Sequence, residues 1–150
     1  MNDKNKLSRM TPITYDYPSC GYVYAEFIVY CNFDNIKSIT NITPSYKQVK
    51  GDIIENSLGR KRIANLDLWK LSLENKIKSR DARNHIDYIL EKIYPNKEVI
   101  IQLQEYHKMF ISCVWFSSGD TGGPAIWPEQ MKLLSDLNLE LSFSFYPYEW

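Results

Sequence analysis

The chain predicts a single α+β domain: one mixed or antiparallel sheet of four or more strands, with helices mainly on one face. Three observations carry this. Tyr22 to Cys31 (YVYAEFIVYC) and Met109 to Phe116 are largely apolar on both alternating faces, as central strands are. From Leu137 to Phe145 the alternation is strict, with Leu137, Leu139, Leu141, Phe143 and Phe145 set against Asn138, Glu140, Ser142 and Ser144. Such a strand has one face in a core and the other in water, so one sheet face is at least partly open. Apolar stripes at helical spacing recur at 81–94 and from Met131 to Leu137, enough to cover the closed face. At 150 residues and 44% hydrophobic, the chain has the size to bury about 70% of its unfolded surface in one core without disulfides or metal.

Residues 1–21 are polar, contain Pro12 and Pro18, and read as a flexible lead-in to a domain spanning 22–150. In the first strand Ala25, Phe27, Val29 and Cys31 share one face, and Tyr24, Glu26, Ile28 and Tyr30 the other. Glu26 is expected at the rim of the sheet, because an unpaired carboxylate in the middle is costly. Asp34 caps a short helix running to Ile39, which Thr43-Pro44 ends. Residues 45–65 are polar and basic, with the run Arg60-Lys61-Arg62, and read as a solvated excursion carrying an edge strand pair. Asp67 to Leu73 is the next strand, with Trp69, Leu71 and Leu73 inward.

The helix at 81–94 presents Ala82, Ile86, Ile89, Leu90 and Ile93 to the core and leaves His85 on its surface. Tyr94-Pro95-Asn96 breaks it, and Val99, Ile100, Leu103 and Tyr106 carry a second helix. After the strand at 109–116, Gly119 to Pro124 (GDTGGP) is a turn. Positive φ is expected at Gly122 or Gly123, and Asp120 accepts local backbone N–H groups. Pro128 opens the last helix at its first turn, where its missing N–H costs nothing. Met131, Leu134 and Leu137 face inward, and a strand at 138–146 closes the domain.

Eighteen basic residues balance eighteen acidic ones, so no global charge argues for nucleic acid or an anionic membrane. The distribution is uneven: residues 47–80 carry nine positive and four negative groups, and residues 81–150 five and ten. Tyr46 alone does not interleave the basic run with the aromatics that single-stranded nucleic acid needs. Cys20, Cys31 and Cys113 are odd in number and far apart, as in a reducing compartment, and Cys31 and Cys113 read as small core hydrophobes. MNDKNKLSRM lacks the apolar run of a signal peptide, and no segment approaches the ~18 apolar residues of a membrane span. A cytoplasmic protein is expected.

Catalytic and cofactor motifs are absent. The two histidines and three scattered cysteines have no metal-ligand spacing, and neither a Walker loop nor a Gly-x-Gly-x-x-Gly or Gly-x-Ser-x-Gly motif occurs. No metal and no cofactor is expected. Cys113 and His107 make a poor nucleophile and base, because burial holds a strand thiol inert. The GDTGGP loop between Trp115 and Trp127 is the one stretch that presents a carboxylate and free backbone groups on a rigid scaffold.

Tyr24 to Tyr30, Ile42-Thr43-Pro44, Gly51-Asp52, Leu68-Trp69-Lys70-Leu71, the Ile86 to Leu90 helix, Trp115, Gly122-Gly123-Pro124 and the Leu137 to Tyr146 ending follow one another in this order. Together they resemble an uncharacterised bacterial family, catalogued as domain of unknown function 4279, over about residues 22–146. One departure is the pair Ile126-Trp127 before Pro128, where the family's helix usually opens on a small polar cap. The resemblance implies the fold and a bacterial intracellular setting, and brings no established activity. By analogy with small bacterial domains of this kind, the expected function is non-enzymatic binding: an immunity protein that neutralises a cognate toxin. Asp120, Gly122, Gly123, Trp127, Glu129 and Trp150 are the candidate contact residues, acidic groups around aromatic anchors facing a basic cleft. The alternative is a small-ligand-binding protein or enzyme with a pocket beside the 119–124 loop, using Asp120 or Glu26 as acid or base.

Overall fold

The computed structural model describes residues 11–31, 36 and 40–148. Its core is a five-stranded mixed sheet of β1 (Cys20–Tyr30), β2 (Tyr46–Gln48), β5 (Leu68–Ser72), β6 (Lys108–Ser117) and β7 (Leu141–Pro147) in the order β2-β5-β1-β6-β7. β3 (Ile53–Glu55) and β4 (Lys61–Ile63) pair only with each other, as a separate hairpin between β2 and β5. All neighbours in the main sheet are antiparallel except β6 and β7. That parallel pair needs a crossover, which α3 (Pro128–Asp136) supplies. Preceding it are α1 (Ala82–Ile93) and, after a single 3-10 turn, α2 (Lys97–Leu103).

Period-two alternation divides the sheet into two faces. Val23, Ala25, Phe27 and Val29 of β1, Trp69 of β5, and Ile111, Cys113 and Trp115 of β6 are buried beneath the helices. The stripe Ala82, Ile86, Ile89, Leu90 and Ile93 of α1 packs on them, joined by Ile100 of α2 and by Leu134 and Leu137 at the end of α3. All three cysteines are reduced and buried.

Several positions differ from the sequence expectation, each for a local reason. His85 is fully buried rather than on the helix surface, because the chain before α1 folds over it. Its Nε2 lies 2.6 Å from the Ser79 carbonyl, and since that oxygen only accepts, Nε2 carries the proton. Glu26 is only 6% exposed, not at the rim; Lys70 on the neighbouring strand supplies the counter-charge, with Nζ 3.1 Å from Oε2. β7 begins at Leu141 because the preceding residues terminate α3: Asn138 takes φ 53, and the Leu139 N–H closes on the Leu134 carbonyl at 3.0 Å. Leu137 and Leu139 are therefore buried by the helix cap rather than by the strand. Met131 and Phe145 are exposed, Phe145 at 60%: α3 turns its Met131 side outward, and β7 is the edge strand of the sheet. Tyr106, placed in the second helix from sequence, lies beyond α2 and is exposed. The short helix expected from Asp34 to Ile39 lies, apart from Ile36, outside the described residues.

The lead-in begins outside the described residues, and from Thr11 onward it is bonded to the domain. Asp81 and Arg83 form a fully buried pair, with Arg83 Nε 3.0 Å from Asp81 Oδ1 and Nη2 2.7 Å from Oδ2. Arg83 also donates to the carbonyls of Thr11 (3.2 Å) and Pro12 (2.9 Å), while the Thr14 N–H donates to Asp81 at 2.9 Å. Asp81 is at once the N-cap of α1, accepting the Arg83 N–H.

Candidate functional site

Among the described residues, helices pack on one face of the sheet. The other is carried by the even-numbered half of the same alternation: Tyr22, Tyr24, Glu26, Ile28 and Tyr30 on β1, flanked in register by β5 and β6. Tyr22 lies opposite Phe116, whose own neighbour on β7 is Tyr146; Tyr24 lies opposite Val114. Glu26 sits between Ser72 and Ser112, with Ser142 next along the same row. Ile28 is bracketed by Lys70 and Phe110, and Tyr30 by Lys108. The result is a polar centre within a ring of half-buried aromatic side chains.

The rings support one another. Tyr22 lies 5.7 Å from both Tyr24 and Phe116, Phe116 stacks on Tyr146 at 5.3 Å, and Tyr30 meets Phe110 at 5.9 Å. Tyr22 is held at its tip as well, its hydroxyl donating to Asn75 Oδ1 at 2.9 Å and accepting the Asn75 N–H at 3.1 Å. Tyr148 extends the cluster, edge-on to Phe116 at 6.4 Å, and its ring occupies the space that a Cβ at Gly21 would need. Lys70 and Lys108 lie over the Tyr46 and Tyr30 rings at 5.3 and 5.9 Å.

The electrostatics favour hydrogen bonding over proton transfer. Burial, reinforced by the Glu74 and Glu26 charges, pushes the Tyr24 phenol up to about 12, and burial also raises Tyr22, so both hydroxyls stay protonated at neutral pH. Glu26 Oε2 has its ion pair to Lys70 but no aligned hydrogen bond. Shallow grooves flank this face at both ends, one lined by Tyr46, Lys70, Ser72 and Glu74, the other by Lys108, Phe110, Glu140 and Ser142. Among the described residues, no three His, Cys, Asp or Glu side chains converge as a metal ion would require.

The residues singled out from sequence do not gather into one surface. Asp120 is exposed in the turn after β6, its Oδ1 accepting the Thr121 N–H at 2.7 Å. Neither Gly122 nor Gly123 has positive φ; in this turn that conformation belongs to Gly119, at 96°. Gly122 is required for a different reason, close approach, because an added Cβ would collide with the Ser19 side chain. Gly123 offers its carbonyl to the Tyr17 hydroxyl at 2.9 Å, and Ser118 Oγ donates to the Pro18 carbonyl at 2.8 Å, so the loop is sewn to the segment before β1. Trp127 is 4% exposed and so is no surface anchor. Its indole N–H donates to the Thr11 carbonyl at 2.7 Å, and the Arg83 guanidinium stacks on its ring at 4.8 Å. Glu129 lies in a groove between α1 and α3, away from the aromatic face, and Trp150 lies outside the described residues.

A family model described as domain of unknown function (DUF4279) matches residues 22–148, most of the chain and all of the sheet except the first two residues of β1. The chain belongs to the DUF4279 family. No curated protein and no solved structure matches it. Membership thus adds no activity to the geometry, and the aromatic face is the feature of this DUF4279 domain that its own folding does not explain. The sequence did carry its signal, in Tyr22, Tyr24 and Tyr30 on one alternating face of β1. What hid the site was the pairing, since Phe116, Tyr146, Lys70 and the three serines come from strands up to 124 residues away from Tyr22 and Glu26. Among the described residues, no helix is long and apolar enough to cross a membrane.

Proposed function

We propose that this DUF4279 protein is a non-enzymatic bacterial binding protein of the cytoplasm, an immunity protein that neutralises a cognate toxin, and that it holds its partner on the open sheet face. The observation that supports this reading is the ring of half-exposed Tyr and Phe side chains around Glu26, Lys70 and three serines. Rigid aromatics with polar tips are the side chains that most often dominate protein interfaces, because they bury much area while losing little conformational freedom. Their mutual stacking pre-organises them, which lowers the ordering cost of association. The protonated Tyr24 hydroxyl and the central serines supply neutral hydrogen bonds, and the flanking Lys and Glu residues give a rim of mixed charge that fixes orientation. A face that is broad, shallow and aromatic suits another folded protein better than a small molecule, which takes an enclosed pocket.

The test is co-expression with the toxin encoded beside this gene. Wild-type protein restores growth, and a Tyr24→Ser/Tyr146→Ser variant, shown to be folded by circular dichroism, fails to. Equal rescue by both proteins removes the sheet face as the contact. Toxicity undiminished by the wild type removes the immunity reading.

A further inference from the structure

The β3–β4 hairpin stands out as an arm that no described element covers. Ile53 and Ile63 are direct cross-strand partners, 72% and 71% exposed, and Leu58 at the tip is exposed too. An isolated two-stranded hairpin is marginal in water, yet this one is carefully closed. Asn56 Oδ1 accepts the N–H groups of Leu58 and Arg60, both at 3.0 Å, and Gly59 takes φ 76. At the base Gly51 donates to the Ala64 carbonyl and Ala64 to the Asp52 carbonyl, both at 2.8 Å. The hairpin also carries the basic run Arg60-Lys61-Arg62, with Lys61 opposite Glu55 and Arg62 opposite Ile54. The complementary surface is on the same chain: a groove of about 310 Å³ between α1 and α3, floored by Leu90, Tyr94 and Leu133 and edged by Asp87, Glu91 and Glu129.

We propose that the hairpin of one copy docks into the α1–α3 groove of a second copy. The two patches match in both respects that govern association, apolar against apolar and basic against acidic. They belong to different parts of the sheet order. The hairpin interrupts the chain between β2 and β5 at one sheet edge, while α3 is the crossover to β7 at the other. Two copies can bring them together. The match also gives the uneven charge of the chain a use, because the basic middle section and acidic last section cancel across the contact. The groove lies on the helical side, so this contact leaves the open sheet face accessible.

Light scattering and sedimentation of the full chain over a range of concentrations test this. Wild-type protein gains mass with concentration, and added salt weakens the association. Ile53→Ser/Ile63→Ser, both at exposed positions, weakens it by about tenfold or more. Charge reversal of the hairpin (Arg60→Glu, Lys61→Glu, Arg62→Glu) and of the groove (Glu91→Lys, Glu129→Lys) each does the same, and mixing the two reversed proteins restores association. Circular dichroism and melting of every variant separate lost contact from lost fold. The proposal is overturned by a wild type that stays monomeric, by variants that associate as it does, or by folded reversed proteins that fail to associate when mixed. Monomeric wild-type protein that binds anionic phosphatidylserine vesicles through Ile53 and Ile63 would assign the hairpin to a membrane surface instead, and so overturn it as well.

Discussion

Asp81→Ala is expected to be among the most damaging single substitutions in this protein, and more damaging than Arg83→Met at the other end of the same pair. The asymmetry follows from what each change leaves behind. Asp81 accepts two charge-assisted bonds from Arg83 (3.0 and 2.7 Å), the Thr14 N–H (2.9 Å) and the Arg83 N–H that begins α1 (3.0 Å). Removing it strands a buried guanidinium with neutral oxygen partners only, and breaking a buried pair in this way costs about 3–5 kcal/mol. The lost N-cap lies within that range or adds about 1 kcal/mol. After Arg83→Met the Asp81 carboxylate keeps two backbone donors, and methionine still fills the space against Trp127, so the cost should fall to roughly half. For a chain of this length each kcal/mol lowers Tm by about 2–4 °C, so Asp81→Ala should lose on the order of 10 °C. Urea and thermal unfolding measure the free energies, and hydrogen exchange at Thr14 reads the local effect, with protection lost in Asp81→Ala and retained in Arg83→Met. A loss under about 1 kcal/mol for Asp81→Ala, or a larger loss for Arg83→Met, would refute the reasoning.

Three further outcomes follow from single sites. Burial lowers the His85 pKa below its ordinary value of about 6.5, so below that pH the unfolded chain binds a proton that the folded chain refuses. Stability should therefore fall with pH below about 6.5, and His85→Gln should remove that component; a stability difference between the two proteins that stays constant from pH 8 to 5 would contradict it. Burial pushes the Cys20 and Cys113 thiols up to about 12 and Cys31 to about 11, so a thiol reagent at neutral pH should find no fast-reacting cysteine in native protein and three after denaturation. Gly122→Ala should cost about 1–3 kcal/mol through overpacking on Ser19. Gly123→Ala, with open space and no positive φ, should be neutral or stabilise by about 0.4–1 kcal/mol, and equal effects in urea melts would dismiss the close-approach argument.

The parts of this fold that were legible in the sequence are those governed by local periodicity. The α1 stripe from Ala82 to Ile93, Pro128 at the first turn of α3 and the buried alternation of β1 all follow from spacing alone. Two of the misread positions, Glu26 and Trp127, share a different property: their state depends on a partner distant in the chain. Glu26 was assigned to the rim because its counter-ion, Lys70, is 44 residues away and became its neighbour only through the antiparallel β1–β5 register. Trp127 looked like a surface anchor because neither Thr11 nor Arg83 is near it in sequence. Leu137 to Leu139 fitted a strand pattern because a helix ending in a left-handed Asn138 happens to bury the same two leucines. Periodicity reports which side of an element is apolar; it carries no information on which element covers that side, or whether any does.

That last distinction bears on how this domain can vary. β1 places its fold-forming residues, Val23, Ala25, Phe27 and Val29, and its outward residues, Tyr22, Tyr24, Glu26, Ile28 and Tyr30, at alternate positions of one strand. The central position of β1, with β5 on one side and β6 on the other, fixes its register along nearly its whole length, and a slip of one residue would exchange the two sets completely. The outward rings are consequently held as rigidly as the core beneath them. Replacing an outward aromatic by another side chain leaves the inward packing and the ladder intact, whereas any change at Phe27 or Val29 disturbs both. Under the binding function proposed above, partner preference can therefore diverge at Tyr22, Tyr24, Phe116 and Tyr146 without cost to the helical layer.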